Sequence, residues 1–209
     1  MIKVFVGTEP NQRRAERVLE YSIRKHTTSD VDITFMRSGD PGWDDWDGHG
    51  PTQFTLFRFA IPELMGFEGT AIYLDCDMLV LDDISKLADQ ARMQRWCKNS
   101  DPQGDCVSVI DCQAVKAVGW PAIEVLKLGA LRKWDLRHRL NMVISNTIPR
   151  EWNHCDRYEP KYTKLIHFTA LDTQPWHPEP GREYGIHPDA AAEAKWLEYE
   201  REMIDAETT

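Results

Sequence analysis

The sequence predicts an α/β fold, a single domain with a mostly parallel central sheet flanked by helices, on three observations. Short apolar runs alternate with amphipathic stretches from the first residues onward, so the opening reads β-α-β-α-β. Polar residues collect where the apolar runs stop, at Thr8 and again at Asp75 and Asp77, and ligands in open α/β sheets sit beyond the carboxyl ends of strands. The 209 residues, 42% hydrophobic and 28% charged, suffice for one such domain with a substantial core.

Taken in order, Ile2–Val6 is a short apolar strand that ends in the turn-rich Gly7-Thr8-Glu9-Pro10-Asn11. Arg13–Lys25 places Ala15, Val18, Leu19, Ser22 and Ile23 at helical spacing. Val31–Met36 returns as a strand, and Gly39–Pro51 is a loop rich in Gly, Asp and Trp. Thr55–Met65 is helical with Pro62 as an interruption. Gly66–Gly69 then turns the chain into Ala71–Val80, an apolar run read as one strand. Val107–Ile110 and Leu165–Phe168 are further strands. The Ala- and Glu-rich stretch from Asp189 to Thr209 is a solvated helix that packs Trp196 and Leu197 on the body. The expected organisation is a domain over residues 1–180 with a helical tail over 181–209.

Composition narrows the function. The formal charge is −9 and no basic stretch is interleaved with aromatics, which disfavours nucleic acid as a partner. No apolar stretch approaches the roughly 20 residues needed to span a bilayer. The opening Met-Ile-Lys-Val-Phe-Val reads as a strand rather than a signal peptide, so a cytoplasmic location is expected. Cys76, Cys97, Cys106, Cys112 and Cys155 are odd in number and lack C-x-x-C pairing, which suits reduced thiols. Cys106, Cys112 and the pair His154-Cys155 match no standard zinc-ligand spacing. The chain shows no internal repeat and no phosphate-binding glycine fingerprint; Gly39-Asp40-Pro41-Gly42 is a turn.

The chemistry concentrates in Ala71–Val80. Alternation along a strand sends Asp75 and Asp77 to the same side. Two ionised carboxylates in an apolar setting repel each other unless a cation or a hydrogen-bond network compensates. A divalent metal is the simplest compensation; a strand end whose acids turn into solvent is the plain alternative.

Phe57-Arg58-Phe59-Ala60-Ile61-Pro62-Glu63-Leu64, the run Gly69-Thr70-Ala71-Ile72-Tyr73-Leu74-Asp75-Cys76-Asp77-Met78-Leu79-Val80 and Asp83-Ile84-Ser85-Lys86-Leu87 together resemble the core of glycosyltransferase family 8, the glycogenin-like and lipopolysaccharide galactosyltransferase-like enzymes. Near the other end, His167-Phe168-Thr169-Ala170-Leu171-Asp172-Thr173-Gln174-Pro175-Trp176 is similar to that family's closing motif, a histidine, a small residue and then Lys-Pro-Trp. The resemblance implies a GT-A nucleotide-diphosphosugar fold, a UDP-sugar donor, a manganese-type ion and hexose transfer with retention of anomeric configuration. It makes Asp75, Asp77 and His167 the metal ligands. Oxygen ligands with an imidazole suit Mn²⁺ better than Mg²⁺, which prefers an all-oxygen octahedron, though Mg²⁺ remains possible. Read alone, His167 is an ordinary histidine at a strand end.

Further assignments rest on the same resemblance. Asp75 also reaches the ribose, and Val6 and Thr8 belong to the uridine-contacting strand end, the alternative for Thr8 being to start a turn or cap a helix. Arg58 lies near the donor, the alternative being a surface ion pair with Glu63 or Asp83. Asp111, within Ser108–Cys112, lines the sugar site and joins Asp75 and Asp77 as a candidate catalytic carboxylate; a buried strand with a stray acid is the alternative. Asp82 and Asp83 cap a short helix at Ile84–Ala88 rather than binding metal.

Two departures matter. Gln174 stands where the family has a diphosphate-binding lysine, and Ala170 replaces a glycine with one extra residue between the two positions. Gln174 donates a hydrogen bond but carries no charge, so phosphate binding leans on the metal or recruits Lys161, Lys164 or Arg182. For the acceptor, Trp43, Trp46, His49 and Gln53 offer planar and polar groups to a sugar face, with Ile148–Asn153 as the opposite wall. Its identity, whether glycan, lipid-linked sugar or protein, is not legible. Two rival readings stand beside transfer. One is a non-catalytic nucleotide-sugar-binding protein of the same fold. The other is a haloacid-dehalogenase-type phosphohydrolase, whose nucleophilic D-x-D normally lies near the amino terminus, whereas here a whole β-α-β-α precedes it.

Overall fold

The computed structural model describes residues 1–46, 52–91, 96–99, 104–127, 138 and 144–208. The strands are β1 (Ile2–Thr8), β2 (Val31–Arg37), β3 (Thr70–Asp75), β4 (Met78–Val80), β5 (Trp96–Asn99), β6 (Val107–Asp111), β7 (Ile144–Ile148), β8 (His154–Cys155) and β9 (Leu165–His167). The helices are α1 (Arg13–His26), α2 (Ile61–Leu64), α3 (Ile84–Ala88), α4 (Cys112–Lys116), α5 (Ile123–Lys127) and α6 (Ala190–Thr208).

Six strands form the main sheet in the order β2-β1-β3-β6-β5-β7. β1 runs parallel to β2 and β3, and β5 parallel to β7, while β6 lies antiparallel between β3 and β5. This is the expected α/β architecture with a mostly parallel sheet. Helix α1 buries Ala15, Val18, Leu19, Ser22 and Ile23, the face its spacing predicts. The expected single helix over Thr55–Met65 is a 3₁₀ segment, Gln53–Ala60, followed by α2. Pro62 falls in the first turn of α2, where its missing N–H has no helical partner to lose.

The run Ala71–Val80 is not one strand. It divides at Cys76-Asp77 between the main sheet and a second sheet of order β4-β9-β8. The Cys76 N–H donates to the Gly7 carbonyl at 3.1 Å, extending the β1–β3 ladder. One residue later the Asp77 carbonyl accepts from the Phe168 N–H at 2.9 Å, opening the second sheet. The alternation rule therefore does not place Asp75 and Asp77; the crossing between sheets does. Both halves are buried throughout, which is why the sequence stays apolar across the break.

Helix α6 packs on α1, with Ala192, Trp196, Tyr199 and Met203 buried against Ala15 and Val18. Asp83 caps α3 by accepting from the Ser85 N–H at 2.9 Å, as the sequence predicts, while Asp82 pairs with Lys86 at 2.6 Å. All five cysteines are free thiols. Among the described residues, no helix is long and apolar enough to cross a membrane.

Candidate metal and nucleotide site

The site assembles where β1 and β3 end. Tyr73 lies two residues before Asp75 on the same face of β3, and its hydroxyl donates to Asp75 Oδ1 at 2.5 Å. Arg58 reaches the same oxygen with Nη2 at 3.1 Å, donates Nε to the Thr55 carbonyl at 3.1 Å and lies over the Tyr73 ring at 4.5 Å. Its other terminal nitrogen approaches Asp105 at 3.7 Å. Arg58 is thus a buried partner of Asp75 and Asp105; it pairs with neither Glu63 nor Asp83. Gly7 lies opposite Asp75 in the β1–β3 register, and a Cβ there would come within 2.3 Å of the Tyr73 hydroxyl. Only glycine leaves room for the ring that steadies Asp75.

Asp77 and His167 meet at the start of the second sheet. Antiparallel pairing sets His167 opposite Met78, so its Nε2 lies 3.2 Å from Asp77 Oδ1. Nδ1 bonds to Asn153 Oδ1 at 2.9 Å. Because that oxygen only accepts, the Nδ1 proton is fixed and Nε2 faces Asp77. Asp77 Oδ1 is buried without a hydrogen bond, so its contact with the imidazole is ionic. Burial alone would lower the His167 pKa, but the Asp77 carboxylate more than reverses this and holds it well above the usual histidine range. Burial raises the Asp77 carboxyl, and the imidazole partly offsets that rise.

These groups fit a divalent ion. One ligand atom each from Asp75, Cys106 and His167 lies within 4.8 Å of the others, and Asp77 supplies a buried carboxylate oxygen lacking a donor. Burial, then the neighbouring Asp75 carboxylate, push the Cys106 thiol well up.

A cleft of about 210 Å³ opens beside Asp77, lined by Gln12, Phe54, Leu171, Gln174 and Arg182 among others. Gln174 is buried, donating Nε2 to the Phe168 carbonyl at 3.0 Å and leaving Oε1 without a partner. Arg182 ion-pairs with Asp172 and, at 3.2 Å, with Glu179. Lys161 and Lys164 line a different cleft with Tyr158 and Lys195, so of the three cations the sequence offers, Arg182 alone lines this one.

Three further sequence-derived candidates take structural places in the fold. Asp111 pairs with Thr70, at the opposite end of β3 from Asp75, and its carboxylate caps α4 by accepting from the Ala114 N–H at 2.9 Å. It is a structural cap, because β6 runs antiparallel to β3. Val6 has no exposed surface and belongs to the core. The Thr8 hydroxyl donates to Glu16 at 2.7 Å, and Glu16 also receives Arg37 at 2.9 and 2.6 Å, so that hydroxyl is turned away toward α1. Trp43 and Trp46 stack on each other with centroids 5.4 Å apart and pack on Phe57. His49 lies outside the described residues, as does the Gln53 side chain. The sequence reading missed Gly7, Tyr73, Cys106 and Asp105, and took Asn153 for an acceptor wall when it orients His167. Tyr73 was recoverable, since it shares a strand face with Asp75; Cys106 and Asn153 carry no local signal.

No protein-family model matches the chain. A stretch of 92 residues is 34% identical to Protein CDI of Arabidopsis thaliana, covering 42% of this chain and 36% of that protein, so the chain spans about a third of that relative's length. The galactosyltransferase LgtC, solved in complex with donor and acceptor sugar analogues, superposes with a TM-score of 0.65 at 13% identity over 96% of both chains. The glycosyltransferase GlyE of Streptococcus pneumoniae TIGR4 gives 0.64 at 15% identity over 96% of this chain and 61% of its own. The bifunctional glycosyltransferase WbbM gives 0.61 at 14% identity over 84% of this chain and 46% of its own. At these identities the likeness is one of fold, and the chain accordingly has the GT-A glycosyltransferase fold.

Proposed function

We propose that this chain is a metal-dependent retaining glycosyltransferase of family 8, moving a hexose from a UDP-sugar, with glucose or galactose as the expected sugar, to an acceptor hydroxyl. The observation that carries the reading is the convergence of Asp75, Asp77 and His167 beside a cleft at the strand ends of a GT-A fold. A Mn²⁺-type ion held by these three residues would supply Lewis-acid stabilisation of the departing diphosphate. The chain's own groups do the rest. Tyr73 and Arg58 fix the Asp75 carboxylate, and Asn153 fixes the proton of His167 on Nδ1 so that Nε2 faces the ligand position. Gln174 presents an unpaired amide oxygen to the cleft, and Arg182 brings the positive charge that Gln174 lacks. In a retaining site the leaving phosphate oxygen takes the acceptor proton from the same face, so no separate base is required. The loss of Asp111 from the catalytic set is compatible with that route. The proposed setting is cytoplasmic, in the domain over residues 1–180.

Incubation with a panel of nucleotide sugars and Mn²⁺ tests the reading. Free UDP should appear, the acceptor product should be α-linked by proton NMR, and Asp77→Asn should abolish both turnover and metal-supported UDP binding. A β-linked product would overturn the mechanism. The uncharged Gln174 favours one second reading, a nucleotide-sugar-binding protein of the same fold, and UDP binding without turnover across the panel would establish it.

A further inference from the structure

We propose that the Cys106 thiolate is a further ligand of this metal centre, making it a mixed oxygen, nitrogen and sulfur site with a marked preference for Zn²⁺ or Co²⁺. The inference rests on the reading that Asp75, Asp77 and His167 hold a divalent ion. Pairing of Leu74 with Val107 carries Cys106 to the position beside Asp75. Ligand atoms of Asp75, Cys106 and His167 all lie within 4.8 Å of one another. Ligands bound at about 2.0–2.3 Å around one tetrahedral ion stand roughly 3.3–3.8 Å apart, so small side-chain adjustments suffice to enclose an ion. Asp77 Oδ1 lies outside that group of three but 3.2 Å from His167 Nε2, without a hydrogen bond. Cys106 is half-buried, and on coordination its thiol proton is released. A thiolate selects borderline-soft ions, whereas a site of two carboxylates and an imidazole tolerates Mn²⁺. A sulfur-bearing set of three also suits four-coordinate Zn²⁺, which has one further position, while Mn²⁺ with its larger shell keeps positions for two phosphate oxygens. Zn²⁺ should accordingly bind tightly and compete with the nucleotide.

Cobalt titration of the metal-free protein is the test, because visible d–d bands report any bound Co²⁺ and a near-ultraviolet charge-transfer band reports a thiolate ligand. The expected result is both band types in the unaltered protein. Cys106→Ser should retain the d–d bands and lose the charge-transfer band, and its preference for Zn²⁺ over Mn²⁺ should fall by about tenfold or more. Cys155→Ser is the control, since Cys155 neighbours His167 in the β8–β9 register, and it should keep both. Visible bands without charge transfer in the unaltered protein would overturn the sulfur ligand while leaving the carboxylate and imidazole site intact, whether or not Cys106→Ser folds. Loss of the charge-transfer band in Cys155→Ser but not in Cys106→Ser would equally overturn it. Failure to bind Co²⁺ at all would overturn both this inference and the metal site on which it rests.

Discussion

Replacing Gly7 with alanine should damage the site from behind. The new Cβ would lie 2.3 Å from the Tyr73 hydroxyl oxygen and 2.8 Å from Phe54 Cδ2, where ordinary contact begins at 3.4 Å. Tyr73 therefore has to retreat by about 1 Å, and its 2.5 Å hydrogen bond to Asp75 does not survive that shift. Overpacking of this kind costs about 1–3 kcal/mol. Loss of a hydrogen bond to a buried carboxylate adds about 1.5–3 kcal/mol. Together these give roughly 2.5–6 kcal/mol, which at about 2–4 °C per kcal/mol for a domain of this size lowers Tm by about 5–24 °C. The assay is thermal or urea unfolding of Gly7→Ala, Tyr73→Phe and the double variant. Removing the hydroxyl removes the nearest colliding atom, so Gly7→Ala should cost at least about 1 kcal/mol less in the Tyr73→Phe background. Additive effects, within about 0.5 kcal/mol, would show that the hydroxyl is not what excludes a side chain at position 7 and would refute the account of how Asp75 is held.

Asn153→Ala should free the His167 ring and weaken Mn²⁺ binding by about 10–100-fold, measured by direct metal titration; unchanged affinity would mean another group sets the tautomer. Gln174→Lys should tighten UDP binding by about 1 kcal/mol, with the gain shrinking as salt is added, and calorimetry that shows no gain would assign the diphosphate to another cation. The metal-free protein should lose stability as pH rises. The Asp77 carboxylate holds His167 above the ordinary histidine value of about 6.5, so its contribution is complete below about 6.5 and disappears as pH climbs through the folded value. The upward-shifted Asp77 carboxyl acts in the same direction. Relative to His167→Gln, Tm of the unaltered metal-free protein should fall from about pH 6.5 upward, and a constant difference across that range would count against the ion pair.

Much of the amino-terminal half was legible. Strands β1 and β2 are legible as short apolar runs, and α1 follows from periodicity because it buries the residues its spacing marks. Strands β5, β7 and β8 were not, since Trp96–Asn99 and Ile144–Ile148 mix apolar with polar residues and gain their regularity from neighbours distant in sequence. The core of the site was readable because Asp75, Asp77 and His167 belong to two motifs in the right order. Asp111 misled for a definite reason: strand direction is not written in composition, and an antiparallel β6 carries its last residue to the wrong end of the sheet. The same reversal brings Cys106, an isolated thiol in the sequence, beside Asp75.

The division of residues 71–80 between two sheets has a consequence for how binding energy is distributed. Asp75 closes one hydrogen-bonded ladder, while Asp77 and His167 open the other, so the proposed ion, shared among them, would act as a rivet through a seam. The small sheet has strands of only two or three residues, few amides of its own to resist opening, and it carries the segment that continues to Gln174 and Trp176. A ligand that binds only the closed seam raises its opening free energy by mass action. Hydrogen exchange of the β9 amides should therefore slow when metal and nucleotide are present, and the donor would stiffen the wall of the cleft that receives it.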